Sequence, residues 1–268
     1  MIEKKVSRLL IIVFVAFLFA SFMFSSLLLP VKAAAQVTIV NHNHYMDAGG
    51  YYHVIGEVQN TGDVPVTDVH VSITVYDVHD VVLESSDEQI LLLVLLVGRK
   101  SPFMYTVSQD NSAKVSYYYV SISSFQPSSE KPLGLQILSH NYVIVGFPVF
   151  RVMTVTGQVQ NIGVLPADAV YVVATFYDGL GGTGNVIGVS LSPSAPVILP
   201  HNEIGTFSIP QDVTGREQLF VSGSYVLTAE SLEYADIVPE FPAYAICIIF
   251  MAITLIGVVV TRRNNRRK

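Results

Sequence analysis

Gly56-Glu57-Val58-Gln59-Asn60-Thr61-Gly62 recurs as Gly157-Gln158-Val159-Gln160-Asn161-Ile162-Gly163. Each copy is followed at the same distance by a tyrosine–aspartate pair, Tyr76-Asp77 and Tyr177-Asp178. From Gly56 to Asp77 and from Gly157 to Asp178 the copies align without a gap, 101 residues apart. Pro65 matches Pro166, Val69 matches Val170, Val71 matches Val172 and Thr74 matches Thr175. Self-similarity at a fixed spacing means one structural unit used twice, which sets the architecture before any finer argument.

Working outward from the first copy, strand signals dominate. Val37–Val40, Tyr52–Gln59, Val66–Tyr76, Val81–Glu84, Ile90–Val97, Phe103–Val107 and Val115–Ser123 are rich in Val and Tyr, and Gly, Pro, Asn and Asp separate them. No stretch between them has sustained helical periodicity. Residues 69–75 alternate strictly, so Val69, Val71, Ile73 and Val75 are expected to face a core. About seven short strands in about 100 residues, without cysteines, predict a β-sandwich. The predicted class is all-β: two tandem β-sandwiches over 36–126 and 133–234, joined by a Ser/Pro linker at 127–132.

Within the motif, Gly56 and Gly157 predict a bulge or a close crossing. Asn60 to Gly62 and Asn161 to Gly163 predict turns, and Asp77 and Asp178 are expected to bond the backbone of the turns that they open. Tyr76 and Tyr177 are expected to cover a core edge with the hydroxyl at the rim. These are fold-signature roles, not catalytic ones.

Both ends of the chain are apolar. Lys4, Lys5 and Arg8 precede the run Leu9–Leu29, and Ala33, Ala34 and Ala35 offer small residues for cleavage at Ala35/Gln36 or Ala33/Ala34. This predicts a signal peptide over 1–35, with an uncleaved anchor as the alternative. Residues 235–242 read as a tether carrying Val238-Pro239-Glu240-Phe241-Pro242, and 243–260 hold 18 uncharged residues, long enough to span a bilayer. The five cations of 261–268 place that end in the cytoplasm, and the middle of the chain outside. Between Gln36 and Pro242 there are 6 Lys and Arg against 20 Asp and Glu, a net charge of −14. Nucleic acid is a poor partner for such a body.

The strand–Asn-x-Gly–strand pattern ending in Tyr-Asp resembles the FxLYD domain. Its motif corresponds to Ile73-Thr74-Val75-Tyr76-Asp77 and Ala174-Thr175-Phe176-Tyr177-Asp178, with the phenylalanine of the name replaced in both copies. The resemblance covers 50–110 and 150–210. It implies a small immunoglobulin- or fibronectin III-like sandwich of bacterial and archaeal envelope proteins, without catalytic residues. Pro239, Glu240, Phe241 and Pro242, followed by an apolar span and a basic tail, resemble archaeal PEF-type sorting signals. Those imply a sortase-like processing enzyme as a partner. A plain single-pass anchor remains the alternative.

Candidate sites are few. His42, His44 and His53 could hold a transition metal, since two histidines two apart on a strand share a face. A copper site of the cupredoxin kind lacks its cysteine, because Cys247 is alone and lies in the C-terminal apolar run. Asp77, Asp80, Asp87 and Glu88 offer carboxylates for Ca²⁺ without the spacing of an EF-hand. No G-x-S-x-G or H-E-x-x-H occurs. No cofactor is required by any motif. Ile90–Val97 is apolar on both faces and is the best interaction surface, either for the second unit or for another protein. The copies differ most at His42–His44, at 90–97 and at the glycine turn 179–184. Together these readings predict a surface-anchored, non-enzymatic structural or protein-interaction module with an envelope partner. The alternative is a cation- or solute-binding accessory of an envelope complex or transporter.

Overall fold

The computed structural model describes residues 34–147, 150–220 and 223–237. Of the expected signal peptide all but Ala34 and Ala35, together with the 238–242 motif, the expected span at 243–260 and the basic tail, lie outside the described residues. Among the described residues no helix is long and apolar enough to cross a membrane.

The fold is all-β. In the N-terminal half, β1 (Val37–Met46), β2 (Tyr52–Asn60) and β6 (Lys100–Thr106) form one sheet, in the order β1-β2-β6. A second sheet centres on β3 (Val66–Tyr76), which pairs with β4 (Val82–Gln89), β5 (Val94–Leu95) and β7 (Tyr117–Pro127). Val69, Val71, Ile73 and Val75 are buried, as their alternation predicts, and pack against Val54, Val58 and Phe103 of the first sheet.

In the C-terminal half, β8 (Leu133–Phe147), β9 (Phe150–Asn161) and β12 (Ile204–Asp212) repeat β1, β2 and β6. β10 (Tyr171–Tyr177), β11 (Val186–Pro193) and β13 (Tyr225–Glu230) repeat β3, β4 and β7. The two-residue β14 (Ala235–Asp236) then pairs antiparallel with β13 and parallel with β8. It thereby laces the half into one seven-stranded sheet, in the order β11-β10-β13-β14-β8-β9-β12. The first residues of the expected tether are thus part of the fold, because β13 and β8 leave an edge open between them that an extended chain can pair with.

The motif glycines do the same work twice. A Cβ on Gly56 would lie 2.4 Å from the Asn41 carbonyl oxygen and 2.5 Å from the Phe103 ring. On Gly157 it would lie 2.3 Å from the Ser139 carbonyl oxygen and 2.4 Å from the Phe207 ring. Next to each glycine the neighbouring strand bulges, between Ile39 and Asn41 and between Ile137 and Ser139. The glycine therefore makes room for a bulge on one side and a core phenylalanine on the other.

The asparagines are wholly buried. Asn60 Nδ2 donates to the Val64 and Leu95 carbonyls at 2.8 and 2.9 Å, and its Oδ1 accepts from the Gly62 amide at 3.0 Å. Asn161 repeats all three bonds with Leu165, Leu199 and Gly163 at 2.8, 2.7 and 2.9 Å. Each asparagine thus pins a turn to the loop opposite it.

The segment 90–97 departs from the expected strand. Only Val94–Leu95 is strand. Ile90, Leu92 and Leu95 go into the N-terminal core, and Leu91 packs both against that core and toward the C-terminal half. A run without alternation cannot present a constant face as a strand, so the chain bends to bury residues on both sides.

Candidate functional site

The polar residues with most to offer lie where the halves meet. The outer face of β10 presents Tyr171, Val173, Thr175 and Tyr177 to the N-terminal half, since alternate residues of a strand face the same way. Val173 joins the N-terminal core. Ile55, Tyr177, Val186 and Val189 form a small core of their own between the halves, with Tyr45, Leu91 and Met104 against it.

Polar ties cross this seam along its length. The Glu230 carboxylate is buried and accepts the amides of Leu93 and Val94 at 2.7 and 3.1 Å. It also accepts the Tyr171 hydroxyl at 2.5 Å and the Lys131 ammonium at 2.6 Å. Burial, followed by the Glu230 charge, pushes the Tyr171 hydroxyl pKa upward. Lys131 sits in the stretch expected as a linker, yet it is buried, because its charge is spent on Glu230. Arg99 donates to both the carboxylate and the main-chain oxygen of Asp236. Burial raises the Asp236 carboxyl pKa against the pull of Arg99.

Further along, the Tyr177 hydroxyl donates to the buried Glu57 carboxylate, and Lys100 Nζ stands 3.5 Å from its other oxygen. Burial and then the Glu57 charge push the Tyr177 pKa upward. The tyrosine expected at a rim is therefore interior in this copy, covered by the other half. At the far end Asn41 Nδ2 donates to the Gly184 carbonyl at 2.7 Å, and Asn43 Nδ2 to the Val186 carbonyl at 3.1 Å. The Arg216 guanidinium lies 3.6 Å over the Tyr45 ring and donates to the Ile187 carbonyl at 2.7 Å.

Of the three places where the copies differ most, 90–97 and the glycine turn at Gly184 meet the opposite half, whereas at His42–His44 it is Asn41 and Asn43, not the histidines, that join the halves. Between them remains a cleft of about 350 Å³, walled by Glu57, Arg99, Lys100, Tyr177, Gly181 and Gly182. It offers a carboxylate, two cations and an aromatic ring to a small polar solute.

The sequence candidates end up elsewhere. His42 Nδ1 is bonded to the Tyr118 hydroxyl at 2.9 Å, and its counterpart His140 to that of Tyr225 at 2.8 Å, so each half uses this pair to tie its two faces together. His44 stacks on Tyr52. His53 lies on the opposite face, since it pairs with Tyr45 while His44 pairs with Val54. It is held by Asp47 at 3.0 Å and Thr106 at 2.9 Å. The three histidines are not brought together.

The carboxylates of the β3–β4 hairpin are also dispersed. Asp77 accepts the His79 and Val81 amides at 2.8 and 2.9 Å and closes its own turn. Asp178 does the same with the Asn185 amide at 2.7 Å. Asp80 holds the Tyr117 hydroxyl at 2.9 Å, Glu88 the Ser86 hydroxyl at 2.5 Å, and Asp87 the Ser123 hydroxyl. Among the described residues no group of three or more His, Cys, Asp or Glu stands close enough to hold a metal.

Glu230, Tyr171 and Arg99 had no part in the repeat and were missed. A signal for them existed: residues 171–177 are apolar on both faces, whereas 69–75 alternate. No family model matches the chain, and no curated protein is similar to it.

Proposed function

We propose that this chain is a non-enzymatic, surface-anchored module of a cell envelope. In this reading it is built from two tandem immunoglobulin-like sandwiches of the FxLYD kind, carried outward by a secretory signal and held by the 243–260 span. The 239–242 motif would give a sortase-like enzyme a place to act. The observation that supports the structural role best is the use of the buried Glu230. Its carboxylate takes four donors, one from 171, one from the connecting stretch and two from the opposite half. A buried ion met this fully holds modules in one relative orientation and is not free to act on a substrate. Protease treatment of intact cells tests the placement. Loss of the 36–237 body while cytoplasmic markers survive supports it, and protection of that body overturns it.

A cation- or solute-binding accessory is the second reading, favoured by the cleft around Glu57 and Lys100. Calorimetric titration with Ca²⁺, Zn²⁺, Cu²⁺ and free amino acids decides between the two. A saturable site that Glu57→Gln abolishes selects the accessory; flat titrations select the scaffold.

A further inference from the structure

We infer that the protein rests on the lipid bilayer through one end of its C-terminal half, with Val164, Leu165, Val197, Ile198 and Leu232 as the lipid-contacting residues. This rests on the reading of 243–260 as a membrane span.

All five side chains are exposed, Val164 at 83%. Backbone bonds lace their three loops into one surface. The Val170 amide donates to the Val197 carbonyl at 2.9 Å, the Leu232 amide to the Asp168 carbonyl at 3.0 Å, and the Leu165 amide to the Tyr234 hydroxyl at 2.8 Å. Scattered apolar residues on a surface are ordinary, but five on three adjoining loops are not.

Both described termini leave from this end. The Ile237 amide donates to the Leu135 carbonyl at 2.8 Å, near the start of β8. Ala34 is bonded through its amide and carbonyl to Asp63, in the turn of the N-terminal half that corresponds to 162–164. Arg99 joins the two ends, since its carbonyl accepts the Asn60 amide while its side chain holds Asp236. The apolar run that follows the tether therefore attaches on the side that carries these loops.

The opposite end also exposes apolar residues, Val78, Val143, Val145 and Phe150 among them. Chain length decides between the ends. The five residues 238–242 reach at most about 17 Å. The tip of β8 lies about 40 Å beyond Leu135, at about 3.3 Å per residue. The tether therefore reaches the loops around Val164 and not the hairpin tip.

The copies agree with this assignment. The N-terminal turn has Thr61, Asp63 and Val64 where the C-terminal one has Ile162, Val164 and Leu165. Leu93 and Val94, the counterparts of Val197 and Ile198, are tied to Glu230 by their amides. Among the described residues no unit covers the C-terminal pair, and the acidic body gives it no attraction to anionic lipid. Apolar contact with the bilayer interface is what remains.

The test uses the full chain reconstituted in phosphatidylcholine vesicles containing brominated acyl chains. A fluorophore is placed on Val164→Cys, Ile198→Cys, Val78→Cys or Val145→Cys in a Cys247→Ser background, and separately on the native Cys247. Quenching at 247 and at 164 and 198, at least about twofold above that at 78 and 145, is expected for residues within the interfacial depth. Val164→Asp with Ile198→Asp should remove the quenching of a label on Leu232→Cys while leaving that at 247. Quenching at 247 without quenching at 164 and 198, or with stronger quenching at 78 and 145, overturns the inference and leaves the span intact. Absence of quenching at 247 overturns the span and the inference together.

Discussion

The outer face of β3 in the N-terminal half and the outer face of β10 in the C-terminal half occupy the same place in the repeat. The first carries His70, Ser72, Thr74 and Tyr76; the second carries Tyr171, Val173, Thr175 and Tyr177. On β4 and β11 the partners of Thr74 and Thr175 are Ser85 and Val189. On β7 and β13 the partners of His70 and Tyr171 are Ser124 and Glu230. One face is hydroxyl-rich and meets solvent, whereas the other is aromatic and aliphatic and is covered. The inward residues of both strands are equally apolar, so the difference lies wholly in the alternate residues that the core does not constrain. A repeat of this kind keeps its inside and spends its outside on the interface.

Removing the covered face's central ion should have the largest effect. Glu230→Ala leaves the Lys131 ammonium and the Leu93 and Val94 amides buried without their acceptor. The expected loss is about 3–5 kcal/mol of unfolding free energy, the cost of stripping one partner from a buried ion pair. Denaturant unfolding measures it, and hydrogen exchange at Leu93 and Val94 should accelerate with it. A loss below about 1 kcal/mol, the level of an exposed pair, would mean that the seam is wet and the halves are loosely joined. Ser124→Ala on the solvent face should change stability by no more than about 0.5 kcal/mol.

The shared interior gives the opposite expectation. Asn60→Ala and Asn161→Ala each remove three hydrogen bonds from the interior, although the Gly62 and Gly163 amides keep the Gln36 and Gly134 carbonyls as acceptors, so each should cost about 2–3 kcal/mol. The informative quantity is their difference. Equal losses by calorimetry mean that the copies are energetically interchangeable inside, and a difference above about 1 kcal/mol would break the division into shared interior and divergent exterior.

The motif's own tyrosines sit astride that division. Tyr177→Phe removes a buried hydroxyl that donates to Glu57, at a cost of about 1–2 kcal/mol. Tyr76 stacks on Tyr117 with centroids 4.8 Å apart and its ring half-buried, a contact that phenylalanine preserves. Tyr76→Phe should therefore stay within about 0.5 kcal/mol. Equal effects at the two positions, read from unfolding curves, would show that the seam does not load the motif.

What could be read from the sequence follows the same line. The strands of the N-terminal half other than 90–97, the inward set Val69 to Val75, the glycine bulge and the aspartate turns were legible, because each rests on period-two alternation or on backbone chemistry local to a few residues. Phe103 and Phe207 were not, since nothing in their own strands shows that a glycine opposite has cleared space for them. The direction of Tyr177 was hidden for a different reason. An outward tyrosine reads the same whether solvent or another unit lies beyond it, and only the apolar neighbours Tyr171 and Val173 distinguish the two cases. The bend of 90–97 was obscured by composition. Eight consecutive apolar residues fit a buried strand, and the contacts that bend them come from Tyr171 and Glu230, about 80 and 140 residues away. The Ser/Pro stretch before Leu133 concealed Lys131 because a lysine in a linker carries no mark of the glutamate that it will meet.

Glu84 supplies the smallest effect, a pH dependence that its counterpart in the other half cannot share. In β4 it accepts the Tyr105 hydroxyl at 2.6 Å, the Asn111 amide group at 2.8 Å, the Ser108 amide at 3.2 Å and the Ser108 hydroxyl. Partial burial pushes its pKa up, but these bonds outweigh it and hold the carboxyl at about 2, below its usual 4.5. A carboxyl whose folded pKa is lowered stabilises the fold at neutral pH. That contribution starts to fade as pH falls past about 4.5 and is gone below about 2. The counterpart in β11 is Gly188, which packs beside the Gln211 side chain and cannot titrate. Glu84→Gln should therefore flatten the acid limb of stability against pH, by on the order of 0.5 kcal/mol for a half-exposed group. The flattening should appear in amide exchange around Ser108 and Asn111, and not around Gln211. Equal flattening in both halves would mean that the seam transmits the change, which a rigid coupling through Glu230 would permit and a loose one would not.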